Sequence, residues 1–152
     1  MSALKEALKI QAENANYIVL GTIGDNGLPA LRVLGSYAVG DNHVYFSTPA
    51  SSRKIQHIKA NPGVSILIQK DGQKSPDFSN IALSGKARVI SDKAEFTKVA
   101  ELIAARSPRF KQRLANGEIG TETALVQVDL VDARITDLSK GPGAKAVTIL
   151  DL

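Results

Sequence analysis

The chain has 152 residues, 43% of them apolar and 22% charged, which is enough for one domain with its own core and unlike the composition of a disordered segment. It contains no cysteine, so disulfides, thiolate catalysis and cysteine-bound zinc are all excluded. The formal charge of +4 suits an anionic partner, yet the basic residues are scattered and few aromatics lie among them to stack on bases. A charged cofactor meets the same excess better than nucleic acid does.

Residues 3–15 place Leu4, Ala7, Leu8, Ala12 and Ala15 at helical spacing, which predicts a short amphipathic helix. This N-terminal stretch carries two lysines and two glutamates among its apolar residues and does not read as a signal peptide. No apolar run approaches the length of a bilayer span, so the expectation is a soluble, cytoplasmic protein. "NYIVLGTIG" reads as a strand, "DNG" at 25–27 as a hairpin turn, and Pro29 suits the start of the next strand. That second strand, "ALRVLGSYAV", puts Leu31, Val33, Tyr37 and Val39 on one face and Arg32, Leu34 and Ser36 on the other.

"GDN" at 40–42 turns the chain into a third strand, "HVYFST", so the first three strands are expected to form a meander. A helix from about Ser51 to Asn61 follows and is stopped by Pro62-Gly63. "GVSILIQK" is the fourth strand, and "FSNIALSGKARVI" is a long fifth one with Gly85 as a bend or bulge. Asp92 and Glu95 form a capping-box pattern at the head of a helix whose buried stripe is Phe96, Val99, Ala100 and Ile103. A short helix over 108–115 and a sixth strand, "TALVQVDLVDARITDL", complete the regular elements. The tail, 139–152, is expected to be irregular.

Six strands mostly in hairpin order, with helices inserted late, predict a mainly β fold with α: a six-stranded antiparallel, Greek-key-like barrel with peripheral helices. One domain over 1–152 is expected, and no βαβ series supports a parallel nucleotide fold.

Most candidate chemistry is absent. His43 and His57 have no metal-type spacing, and His57 is expected to face solvent from its helix. No nucleophile elbow of the G-x-S-x-G kind occurs, and "GTIGDNG" lacks the lysine of a phosphate loop.

"SSRK" at 51–54 is different. Cations disfavour the first helical turn, where unpaired N–H groups already carry partial positive charge. Ser51 and Ser52 can cap the helix and offer hydroxyls, while Arg53 and Lys54 add a guanidinium and an ammonium. An anion bound at this end reverses the local sign of charge and removes the conflict. Ser47 and Thr48 end the preceding strand nearby. Arg32 lies within an otherwise apolar strand with no obvious carboxylate opposite it.

These residues resemble the pyridoxamine 5′-phosphate oxidase-related family of flavin-binding split barrels. The resemblance covers roughly residues 5–137 and rests on two motifs, "RVLGSY" at 32–37 and "YFST…SSRK…ANP" at 45–62. It implies a homodimer that binds FMN, or in some branches the deazaflavin F420, at the subunit interface. It also implies that Arg32 and Lys54 hold the FMN phosphate with Ser52 and Arg53 close by. The backbone of Val33 and Leu34 would face the flavin ring, with Ser47 and Thr48 as strand-end contacts. Asn80 would match a glutamine that reaches the flavin from the partner subunit.

The departures point away from pyridoxamine phosphate oxidation. Tyr37 stands where the oxidases carry a lysine, and the end "ARITDLSKGPG" has no substrate-binding histidine. A flavin brings its own redox centre, so no acid, base or nucleophile need be visible in the chain. The reading is therefore an FMN-dependent oxidoreductase or electron-transfer protein with no catalytic side chain named. The alternatives are an F420-dependent reductase, with Lys59, Lys70 and Lys74 supplying charge for its tail, and a non-catalytic flavin carrier or stress-related binding protein.

Overall fold

The computed structural model describes residues 2–152. Helix α1 (Ala3–Glu13) begins at Ser2, whose hydroxyl accepts from the Lys5 N–H at 3.2 Å. It buries Leu4, Leu8 and Ala12, one per turn. Strands β1 (Ile18–Ile23) and β2 (Pro29–Leu34) form a hairpin whose loop is tied by a Gly24 N–H bond to the Leu28 carbonyl at 2.8 Å. β3 (Tyr37–Gly40) and β4 (His43–Pro49) form a second hairpin, with Asn42 at φ 57° in its turn. After α2 (Arg53–Ala60) come β5 (Gly63–Ile68), β6 (Ser79–Val89), α3 (Lys93–Arg106), α4 (Pro108–Ala115), β7 (Thr123–Asp137) and β8 (Val147–Asp151).

All pairings are antiparallel, in the order β2-β1-β5-β6-β7-β4-β3, with β8 on the far half of β7. The two ends of this path, β2 and β3, are consecutive in the chain and joined by Gly35 and Ser36 alone. They do not pair. The curled sheet is thus split along one seam, which fits the expected split barrel.

Two corrections to the expected strands follow. "ALRVLGSYAV" is two strands, because Gly35-Ser36 carries the chain across the seam: Leu31 and Val33 face outward, whereas Tyr37 is buried. Hence there is no three-strand meander but two hairpins at opposite ends of the sheet. The tail is also regular at its end, since β8 pairs with Asp132–Thr136 of β7, giving eight strands instead of six.

Inside the barrel, Ile18, Leu20, Phe46, Ile66, Ile68, Ile81 and Val128 form the main core with Leu4 and Leu8 of α1 and Ile55 and Ile58 of α2. α1 closes one end, where Gln11 bonds to Ser79 and to the Lys70 N–H. α2 closes the other end, where the Pro62 carbonyl accepts from the Ala87 N–H. A second core, with Val99, Ile103 and Phe110 against Ala38 and Leu125, fixes α3 and α4 over the outer face of β3, β4 and early β7. The Asp92 cap on α3 accepts from the Glu95 N–H as expected.

Gly85 marks a register shift between β6 and β7, and a Cβ there would stand 2.5 Å from the Asp129 carbonyl oxygen. Only glycine allows that approach. Among the described residues, no α-helix packs over the rest of the outer sheet face, across β2-β1-β5-β6-β7-β8.

Candidate functional site

The polar residues gather where the seam meets the helix that closes the barrel end. Arg32 comes from β2, at one end of the sheet path. Thr48 comes from the end of β4, and Lys54 from the first turn of α2. The seam therefore separates β2, which carries Arg32, from the β3–β4 hairpin, whose Thr48 bonds Lys54 of α2.

Arg32 is half-buried, and its Nη1 is anchored by three acceptors: the Thr22 hydroxyl at 2.7 Å, the Ala30 carbonyl at 2.9 Å and the Leu20 carbonyl at 3.4 Å. Its Nη2 and Nε find no acceptor among the described residues. One edge of the guanidinium is thus fixed by the protein and the other has donors to spare. The Lys54 Nζ donates to the Thr48 hydroxyl at 2.7 Å, and Thr48 shares a 3.2 Å hydrogen bond with Ser52.

Two like charges therefore lie near enough to act on one another in partly buried surroundings. Burial holds the Arg32 guanidinium below its ordinary value. Burial, and then the Arg32 charge, push the Lys54 ammonium down. Neither forms a salt bridge among the described residues.

The start of α2 adds donors. Ser52 is the N-cap, but its hydroxyl points to Thr48 and makes no cap bond. The N–H groups of Arg53 and Lys54 find no acceptor among the described residues, as an oxyanion site at a helix end requires.

Other expected positions are placed differently. Arg53 is exposed and pairs with Asp25 of the β1–β2 loop. Ser47 and Thr48 point to opposite faces of β4, so only Thr48, 5% exposed, joins the cluster. Leu34 is buried and the Val33 side chain is exposed. Asn80 lies near the α1 end of β6, opposite Thr136, and has no contact with the cluster in its own chain.

Three participants were not expected from the sequence: Thr22, Asp25 and His57. His57 does not face solvent; it is 6% exposed, with Nδ1 2.9 Å from the Thr22 hydroxyl and Nε2 3.8 Å from Asp25. The sequence signal for them was weak, a threonine in an apolar strand 35 positions from the histidine it meets. Among the described residues no cluster of His, Asp or Glu could hold a metal, and no helix is long and apolar enough to cross a membrane.

The profile of the family described as pyridoxamine 5′-phosphate oxidase matches residues 4–136. The chain belongs to that family. No curated protein matches it in sequence. Among solved structures, it resembles a conserved hypothetical protein of Mycobacterium tuberculosis at 22% identity and TM-score 0.72, covering 90% of this chain and 85% of that one. General stress protein 26 of Bacillus anthracis is similar at 19% identity and TM-score 0.68, with 99% and 100% covered. A haem-binding protein of Mycobacterium smegmatis is similar at 13% identity and TM-score 0.78, covering 99% of this chain but 59% of that longer one. At these identities the structures establish the shared fold. The family membership rests on the profile.

Proposed function

We propose that this family member is a homodimeric flavoprotein that binds FMN by its phosphate at the Arg32–Lys54 seam and serves in electron or hydride transfer. One observation carries the reading: two half-buried cations meet beside an uncapped helix start with no carboxylate between them. A phosphate dianion supplies the missing counter-charge, and each charge-assisted hydrogen bond to it contributes about 1.5–3 kcal/mol. FMN, when bound, supplies the redox centre itself. The protein's part is to hold the phosphate with Arg32, Lys54 and Ser52, with Arg53 as an outer charge and the backbone of Val33 and Leu34 along the ring.

The F420 alternative is less well supported. Lys70 sits beside Gln11 at the α1 end of the barrel, so it does not gather with Lys54 in one protomer. As for a haem reading, each histidine has a carboxylate beside its Nε2. Both nitrogens of His57 face neighbouring groups, and the His43 Nε2 lies 3.1 Å from Asp129.

The bare sheet face supports a dimer. One cross-strand row runs Val33, Val19, Leu67, Ala82, Arg134 and Ile149 over six strands. Val33 is 61% exposed, Ile149 68%, and the neighbouring Leu31 73%. Large apolar side chains exposed on a sheet face suit an interface, and Arg134 is the one charged residue in the row. Asn80 projects from the same face, two residues from Ala82, as a contact donated to the partner's flavin requires.

The test is direct. Native mass spectrometry and the visible spectrum of the purified protein should show a dimer carrying FMN. A protein that takes up neither FMN nor F420 at micromolar concentrations contradicts the reading.

A further inference from the structure

Arg32 is donor-only, so the Thr22 oxygen must accept the 2.7 Å bond from its Nη1. Thr22 is 2% exposed, and its single proton needs an acceptor. The His57 Nδ1, at 2.9 Å, is the one acceptor it meets among the described residues. His57 is thereby assigned a neutral ring with its proton on Nε2, directed at the Asp25 carboxylate 3.8 Å away. Along Arg32, Thr22 and His57 each donor has its direction set by the one before, and the Asp25 carboxylate lies beyond the last of them.

From this we infer that His57 is a positioning residue for the anion site: through Thr22 it sets which edge of Arg32 a bound phosphate meets. The inference rests on the phosphate reading above, and it adds a buried residue that makes no contact with the ligand. Without an acceptor at His57, the Thr22 hydroxyl must turn toward another partner, and one anchor of Nη1 weakens. The guanidinium then relies on the Ala30 and Leu20 carbonyls, and its open edge is held less firmly. Simple core packing by His57 makes a different prediction, because any apolar side chain of similar size would serve.

The experiment compares FMN with riboflavin, which lacks the phosphate, by calorimetry on wild type, His57→Leu, His57→Asn and Thr22→Val. His57→Leu should lower the FMN-to-riboflavin affinity ratio about tenfold, the size of one lost hydrogen bond to a charged group, and leave riboflavin affinity unchanged. His57→Asn, whose side-chain oxygen can stand where Nδ1 stands, should restore the ratio to within about threefold. Thr22→Val should match His57→Leu, and the double variant should lose no more than either alone.

An unchanged ratio in His57→Leu, beside a large ratio in wild type, overturns the role of His57 and leaves the phosphate reading intact. Equal wild-type affinities for FMN and riboflavin overturn the phosphate reading and this inference with it. If His57→Leu does not fold, the nitrogen-15 shifts of His57 in the ligand-free wild type decide. A bare Nδ1 and a protonated Nε2 support the assignment, and the reverse tautomer contradicts it.

Discussion

Arg32 and Arg106 are both half-buried arginines with no salt bridge among the described residues, yet they sit in very different surroundings. Among the described residues, Arg106 bonds its own protein through Nη2 alone, and its Nε is buried without a hydrogen-bond partner. Its Nη2 bonds the Ala12 carbonyl and the Tyr37 hydroxyl, each at 2.8 Å, and its guanidinium lies 4.4 Å from the Tyr37 ring centre. Tyr37 in turn donates to the Ala15 carbonyl at 2.6 Å, so this arginine ties α1, β3 and α3 together. Arg32 likewise bonds the protein through one nitrogen, but it has a second half-buried cation, Lys54, beside it. An arginine without an acid is therefore not a binding site by itself. What distinguishes the seam is a second half-buried cation beside the first, at a helix start whose N-cap makes no side-chain cap bond.

The sharpest way to break this contrast is to remove both seam cations. Arg32→Ala with Lys54→Ala should weaken FMN binding about a thousandfold, from two lost charge-assisted interactions, without lowering the unfolding midpoint of the ligand-free protein. Arg106→Ala should do the opposite. Chemical denaturation should show a loss of about 3 kcal/mol from two hydrogen bonds and a cation–π contact, with the preference for FMN over riboflavin retained.

A smaller effect concerns pH. The Lys54 ammonium is held down in the folded state, so in the window just below the ordinary lysine value the unfolded chain binds more protons. Ligand-free stability should therefore gain a rising component with pH across that window, and Lys54→Met should remove it. Comparing the two proteins cancels the opposite contribution of Tyr37 and Tyr45, whose hydroxyls burial pushes up. Arg53→Ala should be the mildest change, at about threefold in FMN affinity, because an exposed pair such as Arg53–Asp25 contributes little.

Much of the frame was legible because it depends on local pattern. Alternation located most strands, the Asp92–Glu95 box located α3, and Gly85 marked the bulge. The cations of "SSRK" stood out against the helix dipole, which pointed to an anion before any fold was known. The missing parts depend on distant partners. Continuous alternation concealed the break at Gly35-Ser36, since the seam is a property of the closed sheet and leaves no local signal. The tail becomes β8 only because β7 outruns β4 and offers Asp132–Thr136 as a free edge. His57 lies between apolar Ile55 and Ile58 on α2 and turns inward because Thr22, on β1, gives it a partner.

The central claim is that this seam recognises a phosphate. Calorimetric titration of the wild-type protein with FMN and with riboflavin tests it most directly. The account predicts that FMN binds at least about a hundredfold more tightly, in keeping with two charge-assisted contacts to the phosphate. Equal affinity for the two would contradict it.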